Sequence, residues 1–206
     1  MILMALSNIA LSQTVTVGNK LAISHGDMVL YPSNDTLPMA SRHSIKFYKF
    51  KLDSDRDGRW FQDRYKKVSK PAYKGTGYDL GHLTPSHITS YDDSLNYNSF
   101  SLYNQAPQLA RFNRGSWKRL ESAVEDSILK YKKDAVVITG VIYCADAKYL
   151  GKSKMKIPSH YFKCVFVGSY KWCWIGANDS SGEIKYMTLQ ELNAILDKNK
   201  SGMNIK

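Results

Sequence analysis

Apolar and polar positions alternate, cluster and recur differently along this chain, and each pattern predicts an element. Thr14 to Ile23 reads as one or two strands about a Gly18-Asn19 turn. Ser24 to Ser44, punctuated by Gly26, Pro32 and Pro38, reads as loop. Ile45-Lys46-Phe47-Tyr48-Lys49-Phe50-Lys51-Leu52 alternates apolar and basic residues, predicting a half-buried strand with a positive outer face. Ser90 to Tyr103, rich in Asn, Ser and Tyr, reads as irregular. Trp117, Leu120, Val124 and Ile128 recur at helical spacing, predicting a helix capped by Asn113 and ending near Tyr131. Ala135 to Tyr143 is a continuous apolar run, as in a buried strand. Tyr161 to Val167 and Lys171 to Ile175 read as a hairpin about Gly168-Ser169, with a short strand from Ile184 to Met187. Thr188-Leu189-Gln190-Glu191 is a capping box that opens a helix with Leu189, Leu192, Ile195 and Leu196 on one face. Strands in blocks with helices appended make the fold class α+β. No internal repeat or linker divides the chain, so residues 1–206 are expected to form one domain.

Charge narrows the partners. Lys and Arg number 29 against 18 Asp and Glu, a formal net charge of +11. Such a surface attracts polyanions by counterion release, or it serves solubility; charge alone leaves both open. Arg59, Arg64, Lys66, Lys67 and Lys70 are interleaved with Trp60, Phe61 and Tyr65, a composition suited to a phosphate-contacting surface or to a solvated face. Asp53-Ser54-Asp55-Arg56-Asp57-Gly58 resembles the start of a calcium loop but lacks the downstream Glu, so it reads as a turn. Lys74-Gly75-Thr76-Gly77 is not followed by Gly-Lys-Ser/Thr and is no Walker loop.

Cys144, Cys164 and Cys173 contain no Cys-x-x-Cys pair, which argues against a zinc ribbon or a thioredoxin-like site. Cys164 and Cys173 flank the Gly168-Ser169 turn and could bridge a hairpin in an exported protein; buried free thiols are the expectation from base rates. No apolar run reaches the roughly 20 residues needed to span a bilayer, so no membrane partner is expected. Residues 1–12 are apolar and end in Ala10-Leu11-Ser12, a small-x-small pattern without a preceding basic region. They read either as a shortened, residual signal segment or as an ordinary first segment, with export to the periplasm or medium expected and an intracellular site as the alternative.

His82 is the candidate base, because an imidazole titrates near neutrality and can take a proton from water. A lone histidine is more often structural, and His25, His43, His87 and His160 keep that reading. Asn113 offers a carboxamide oxygen to a hard cation, and magnesium tolerates few protein ligands because it retains water. If the helix starts at Asn113, positions 113, 117 and 121 drift by only about 40° per step, so Glu121 could hold water around that cation. On spacing alone, a plain cap at Asn113 and an exposed helix charge at Glu121 are the favoured readings.

Two segments together alter that balance. Asp79-Leu80-Gly81-His82-Leu83-Thr84-Pro85 resembles the Asp-Arg-Gly-His signature of the DNA/RNA non-specific endonucleases of the ββα-metal fold. Asn104-Gln105-Ala106-Pro107-Gln108, followed by Asn113, Trp117 and Leu120-Glu121, resembles their second signature at the family's spacing. Weaker echoes lie at Val137 to Tyr143 and at Ile157-Pro158-Ser159-His160-Tyr161-Phe162-Lys163, so the resemblance covers roughly residues 45–196. It implies a central antiparallel sheet flanked by helices, with the metal-site helix starting near Asn113. It further implies His82 as general base, Asn113 as the direct magnesium ligand and Glu121 as a metal partner through water. Asn104 would be an active-site residue positioning the metal water or substrate, and Asp79 a structural support. The implied reaction is magnesium-dependent cleavage of DNA and RNA, with manganese as a substitute, leaving 5′-phosphate and 3′-hydroxyl ends. A homodimer and an inhibitor protein are the other partners the resemblance suggests.

Two positions depart from the pattern. Leu80 replaces the signature arginine, and Glu125 stands where some secreted members carry a second one. Arg56, Arg59, Arg64 and Arg111 are the candidates to restore positive charge at the scissile phosphate. Leu80 also keeps an alternative in play: a nucleic-acid-binding protein of the same fold with weak or no catalysis.

Overall fold

The structure, a computed structural model, describes residues 13–17, 22–33, 37–49, 70–153 and 155–206. In chain order the elements are β1 (Val15–Val17), β2 (Ile23–His25), β3 (Met28–Pro32), β4 (Pro38–Ile45), β5 (Tyr78–His82), α1 (Asp93–Ser99), β6 (Gln105–Leu109), α2 (Ala110–Phe112), α3 (Lys118–Tyr131), β7 (Ala135–Ile142), β8 (His160–Val167), β9 (Tyr170–Ala177), β10 (Ile184–Met187), α4 (Leu189–Lys198) and β11 (Met203–Ile205). Seven strands form an antiparallel sheet in the order β10-β9-β8-β7-β4-β3-β2. β1 pairs with β11 and β5 with β6, each as a separate two-stranded sheet.

Strand periodicity divides the central sheet into two faces. Val136, Ile138, Phe162, Cys164 and Phe166 point to one, where Leu192 and Leu196 of α4 and the β1–β11 pair cover them. Val137, Val141, Tyr161 and Val165 point to the other, under Trp117 and the Leu120, Val124 and Ile128 stripe of α3. Each such side chain stabilises the fold by about 1.5–3 kcal/mol on burial. The α+β class, the buried run at Ala135, the hairpin, the short strand at Ile184 and the capping box at Thr188 match the sequence reading. No helix of the described residues is long and apolar enough to cross a membrane.

Four expectations are corrected. Residues 24–44 are not loop: β3 and β4 occupy much of the stretch. The prolines that suggested loop lie at strand ends, Pro32 last in β3 and Pro38 first in β4, where a missing N–H is tolerated. The strand expected over 45–52 stops at Ile45, and Phe47 to Lys49 form a turn; residues 50–52 lie outside the described residues. The stretch read as irregular contains α1, whose N-cap Asp92 accepts from the Leu95 N–H at 2.8 Å. Cys164 and Cys173 form a disulfide instead of remaining free, because register places them directly opposite each other on β8 and β9. Cys144 is a free thiol.

Candidate active site

The β5–β6 hairpin stands on the α3 side of the sheet. Asp79 pairs with Gln108 and His82 with Gln105 across it. A Cβ at Gly81 would lie 2.3 Å from Gln108 Oε1 and 2.5 Å from its Cβ, so the glycine before His82 is what permits this packing. The Tyr161 hydroxyl of β8 donates to the Ala106 carbonyl at 2.9 Å. Asn178 donates to the Pro107 and Pro158 carbonyls at 3.0 and 2.8 Å and accepts from the Leu109 N–H at 2.8 Å. These neutral bonds, each contributing about 1 kcal/mol, tie the hairpin to the central sheet.

His82 ends β5, with its ring edge-on to Phe100 at a centroid distance of 5.4 Å. Behind it lies Asn104, fully buried. The Asn104 Oδ1 accepts from the Thr84 N–H at 2.9 Å, and its Nδ2 donates to the Thr84 and Ser99 carbonyls, both at 2.8 Å. The Leu83 N–H donates to the Asn104 carbonyl at 2.8 Å. Asn104 was expected to touch metal water or substrate; here its amide holds the backbone that follows His82.

Asn113 is not the N-cap of the helix that follows. It has helical dihedrals, φ −54° and ψ −55°, and the helical path opens earlier, at Ala110 after extended Leu109. Between α2 and α3, Asn113–Trp117 form one wide π-type turn with a kink at Gly115 (φ −103°, ψ −107°). The wide turn breaks the even angular step assumed for positions 113, 117 and 121. Trp117 is fully buried beside Phe112 and Tyr161, with centroids 5.4 and 5.5 Å away. Asn113 Nδ2 donates to Asp79 Oδ2 at 3.0 Å, and Arg114 donates to the same carboxylate through Nε at 2.8 Å and Nη2 at 2.6 Å. Burial alone would raise the Asp79 carboxyl, but hydrogen bonds from Arg114 and Asn113 and the Arg114 charge outweigh it and hold it below the usual range.

Glu121 lies in the first turn of α3, its side chain 15% exposed, with Oε1 3.7 Å from the Nζ of buried Lys163. Lys163 also donates to Thr139 Oγ1 at 2.7 Å and lies 5.3 Å from the Trp117 ring centroid. Burial raises the Glu121 carboxyl and lowers the Lys163 ammonium, and the attraction between them opposes both shifts. One turn on, Glu125 is hydrogen-bonded to His87, which comes from the turn after Pro85.

These elements enclose a cleft of about 550 Å³ lined by His82, Asn113 and Glu121 together with His87, Asn96, Arg114 and Lys118. Asp79 stands at its wall through Asn113 and Arg114. Exposed Arg111 is not among the lining residues, and Arg56, Arg59 and Arg64 lie outside the described residues. Arg114, Lys118 and Lys163 escaped the sequence reading, which gave His87 only a structural role. The Lys163 segment had been noticed only as a weak echo, and the two cations near Asn113 resemble ordinary helix-surface charges. Among the described residues no three His, Cys, Asp or Glu groups gather into a metal cluster. A one-amide site suits magnesium nonetheless: Asp79 takes the Asn113 N–H donor, so the carboxamide oxygen is the atom left for a hard cation.

The family model for DNA/RNA non-specific endonucleases matches residues 7–200, beginning well before the 45–196 of the sequence resemblance. Mitochondrial endonuclease G of Homo sapiens is 26% identical over 144 residues, 65% of this chain and 45% of that protein. Nuclease C1 of Cunninghamella echinulata var. echinulata is 30% identical over 105 residues, 46% of this chain and 41% of that protein. The chain thus spans less than half the length of these curated relatives. A crystal structure of an EndoG/EndoGI complex superposes with a TM-score of 0.76 at 21% identity, covering 87% of this chain and 84% of that one, a likeness of fold. With the family model matching most of its length, the chain belongs to the DNA/RNA non-specific endonuclease family.

Proposed function

We propose that this chain is a magnesium-dependent endonuclease that hydrolyses phosphodiester bonds in DNA and RNA, with manganese as a substitute metal. The observation that carries the reading is convergence: His82 from one segment and Asn113 and Glu121 from another line one cleft. The net charge of +11 supports a polyanionic substrate.

In this reading His82 accepts a proton from water as the water oxygen attacks phosphorus. The bond from phosphorus to the 3′-oxygen breaks, leaving a 5′-phosphate and, after proton uptake, a 3′-hydroxyl. Asn113 would hold the magnesium directly and Glu121 through water. Bound there, the ion would stabilise charge on the phosphoryl and leaving oxygens. Asp79 fixes the Asn113 amide so that its oxygen stays available, and Asn104 positions the backbone after His82. Contacts to phosphate carry no base information, so DNA and RNA would be cut with little sequence preference.

A second reading, a nucleic-acid-binding protein with weak catalysis, draws on Leu80, which packs against Tyr73, Leu150 and Met155 and offers the cleft no charge. The Cys164–Cys173 disulfide supports export to an oxidising compartment. An inhibitor protein as partner is suggested by the EndoG/EndoGI complex, and a homodimer by the family resemblance.

The test is nicking of supercoiled plasmid and cleavage of single-stranded RNA with magnesium or EDTA, for wild type and His82→Ala. Metal-dependent cleavage of both substrates, lost in the variant, is expected. Cleavage that survives His82→Ala would assign the base elsewhere. A folded wild type that binds in a salt-sensitive way without cutting would favour the second reading.

A further inference from the structure

Replacement of the signature arginine by Leu80 leaves a gap in the cleft's charge, and geometry points to the residue that fills it. Leu80 is committed to the Tyr73–Leu150–Met155 cluster. Its neighbour Asp79 instead holds a guanidinium from the opposite side of the ββα unit, that of Arg114. Resting on the nuclease reading above, we propose that Arg114 is the phosphate-contacting arginine of this cleft and supplies the charge that position 80 lacks.

Three observations carry the assignment. Arg114 lines the same cleft as His82, Asn113 and Glu121. Asp79 grips one edge of its guanidinium, through Nε and Nη2, yet its side chain remains 74% exposed. Of the five N–H donors of a guanidinium, Asp79 engages one on Nε and one on Nη2. Nη1 and the second Nη2 hydrogen retain donors in the planar geometry that suits phosphate oxygens. Finally, Asp79 binds Asn113 and Arg114 through one carboxylate, so the amide oxygen and the guanidinium are held in fixed relation.

The experiment compares wild type with Arg114→Ala, Arg114→Lys and Arg119→Ala, an exposed charge on the same helix outside this cleft. Cleavage of a labelled oligonucleotide in magnesium gives kcat and KM. Anisotropy binding of the same oligonucleotide in EDTA, across a salt series, gives the number of phosphate contacts. Arg114→Ala is expected to lower kcat/KM by about 100-fold or more. Arg114→Lys should recover only part of this, because it keeps charge and loses the fork. The slope of log affinity against log salt should fall by about 1 in Arg114→Ala. Arg119→Ala should stay within about twofold of wild type in kcat/KM.

An Arg114→Ala variant within about twofold of wild type, with an unchanged salt slope, would overturn the proposal. So would an equal loss in Arg119→Ala, which would reduce the effect to general charge. Manganese binding, followed by electron paramagnetic resonance, must be unchanged in Arg114→Ala; its loss would mean that Arg114 serves Asp79 and Asn113 and not the phosphate. If wild type binds but does not cut, the nuclease reading falls, while the salt slope in EDTA still decides whether Arg114 contacts phosphate.

Discussion

The two faces of the central sheet are built from the same strands to opposite ends. The face under α4 is apolar over β7 and β8: Val136, Ile138, Phe162 and Phe166 interlock with Leu192 and Leu196, and the Cys164–Cys173 bridge lies among them, while on β4 Arg42 donates to Ser44 and to the Gln13 carbonyl. The face under α3 carries buried polar groups at alternating positions of the same strands: Ser41 and His43 on β4, Thr139 on β7 and Lys163 on β8. They are hydrogen-bonded to one another and upward, Thr84 to Ser41 at 2.9 Å, Lys163 to Thr139 at 2.7 Å and Lys163 towards Glu121 at 3.7 Å. Buried polar groups cost stability unless satisfied, so a face that accepts them serves more than cohesion. One residue step along β8, from Phe162 to Lys163, separates the face that holds the fold from the face that supports the cleft.

That contrast predicts that neighbouring substitutions separate stability from activity. The largest effect is expected at Phe162, which is fully buried and so close to Gly140 that a Cβ there would meet its ring at 2.3 Å. Phe162→Ala should cost about 3–5 kcal/mol in denaturant unfolding, with turnover by the folded fraction unchanged. A comparable loss of turnover would break the separation. Replacing both Cys164 and Cys173 by Ala should cost about 2–3 kcal/mol, the chain-entropy value for so short a loop, again without affecting cleavage. Identical urea midpoints for oxidised protein and the double variant would show that the bridge adds nothing to the apolar face.

Lys163→Met addresses the other face. It removes the counter-charge of Glu121 while filling most of the lysine's volume, and should lower cleavage about 10- to 100-fold through Glu121, the water-mediated metal partner of the proposed mechanism. Adding Glu121→Gln should restore thermal stability, because the uncompensated carboxylate is gone, and should restore no cleavage. Full activity of Lys163→Met would make the buried pair a packing device and remove the distinction between the two faces.

The apolar face was largely legible in the sequence, because its signals are local: the run at Ala135, the alternation in β8 and β9, and the capping box at Thr188. β4 was missed because buried Ser41, His43 and Ser44 make it read as polar; Ser41 and His43 are engaged by Thr84 and Tyr91 from distant segments, and Ser44 by Arg42 of the same strand. His82, Asn113 and Glu121 were legible through two spaced signatures, and the cleft gathers them. Arg114, His87 and Lys163 were not, since their roles depend on Asp79, Glu125 and Glu121 lying beside them in space. Asn113 was legible as a chemical group and misread as the N-cap of the helix that follows, because a widened turn leaves no mark that separates it from a helix start.

The smallest expected effect also belongs to the polar face and depends on pH. His43 is fully buried on β4, and Tyr91 gives its single hydroxyl hydrogen to Asp27 at 3.1 Å. The 3.2 Å contact to Tyr91 therefore requires a proton on His43 Nε2. Burial, together with the positive charges of Arg42 and Lys163, pushes the His43 pKa down from 6.5 to about 3. On the other side of Tyr91, Asp27 is paired with Lys49 at 3.7 Å, so its carboxylate is already engaged. The folded protein holds this imidazole neutral where the unfolded chain would protonate it. Its contribution to stability is thus complete above about pH 6.5 and is lost progressively as pH falls from 6.5 towards 3. Between pH 7.5 and 5.5 the loss should be about 1.4 kcal/mol, one proton taken up by the unfolded state over the tenfold change in its binding polynomial. His43→Gln keeps a donor for Tyr91 and removes the titration, so its stability should change less over that interval by the same amount. An unaltered pH slope in urea unfolding would place the acid sensitivity elsewhere. Asp79 would not supply it, since its depressed pKa makes its own contribution fade only at lower pH, below the ordinary carboxylate range.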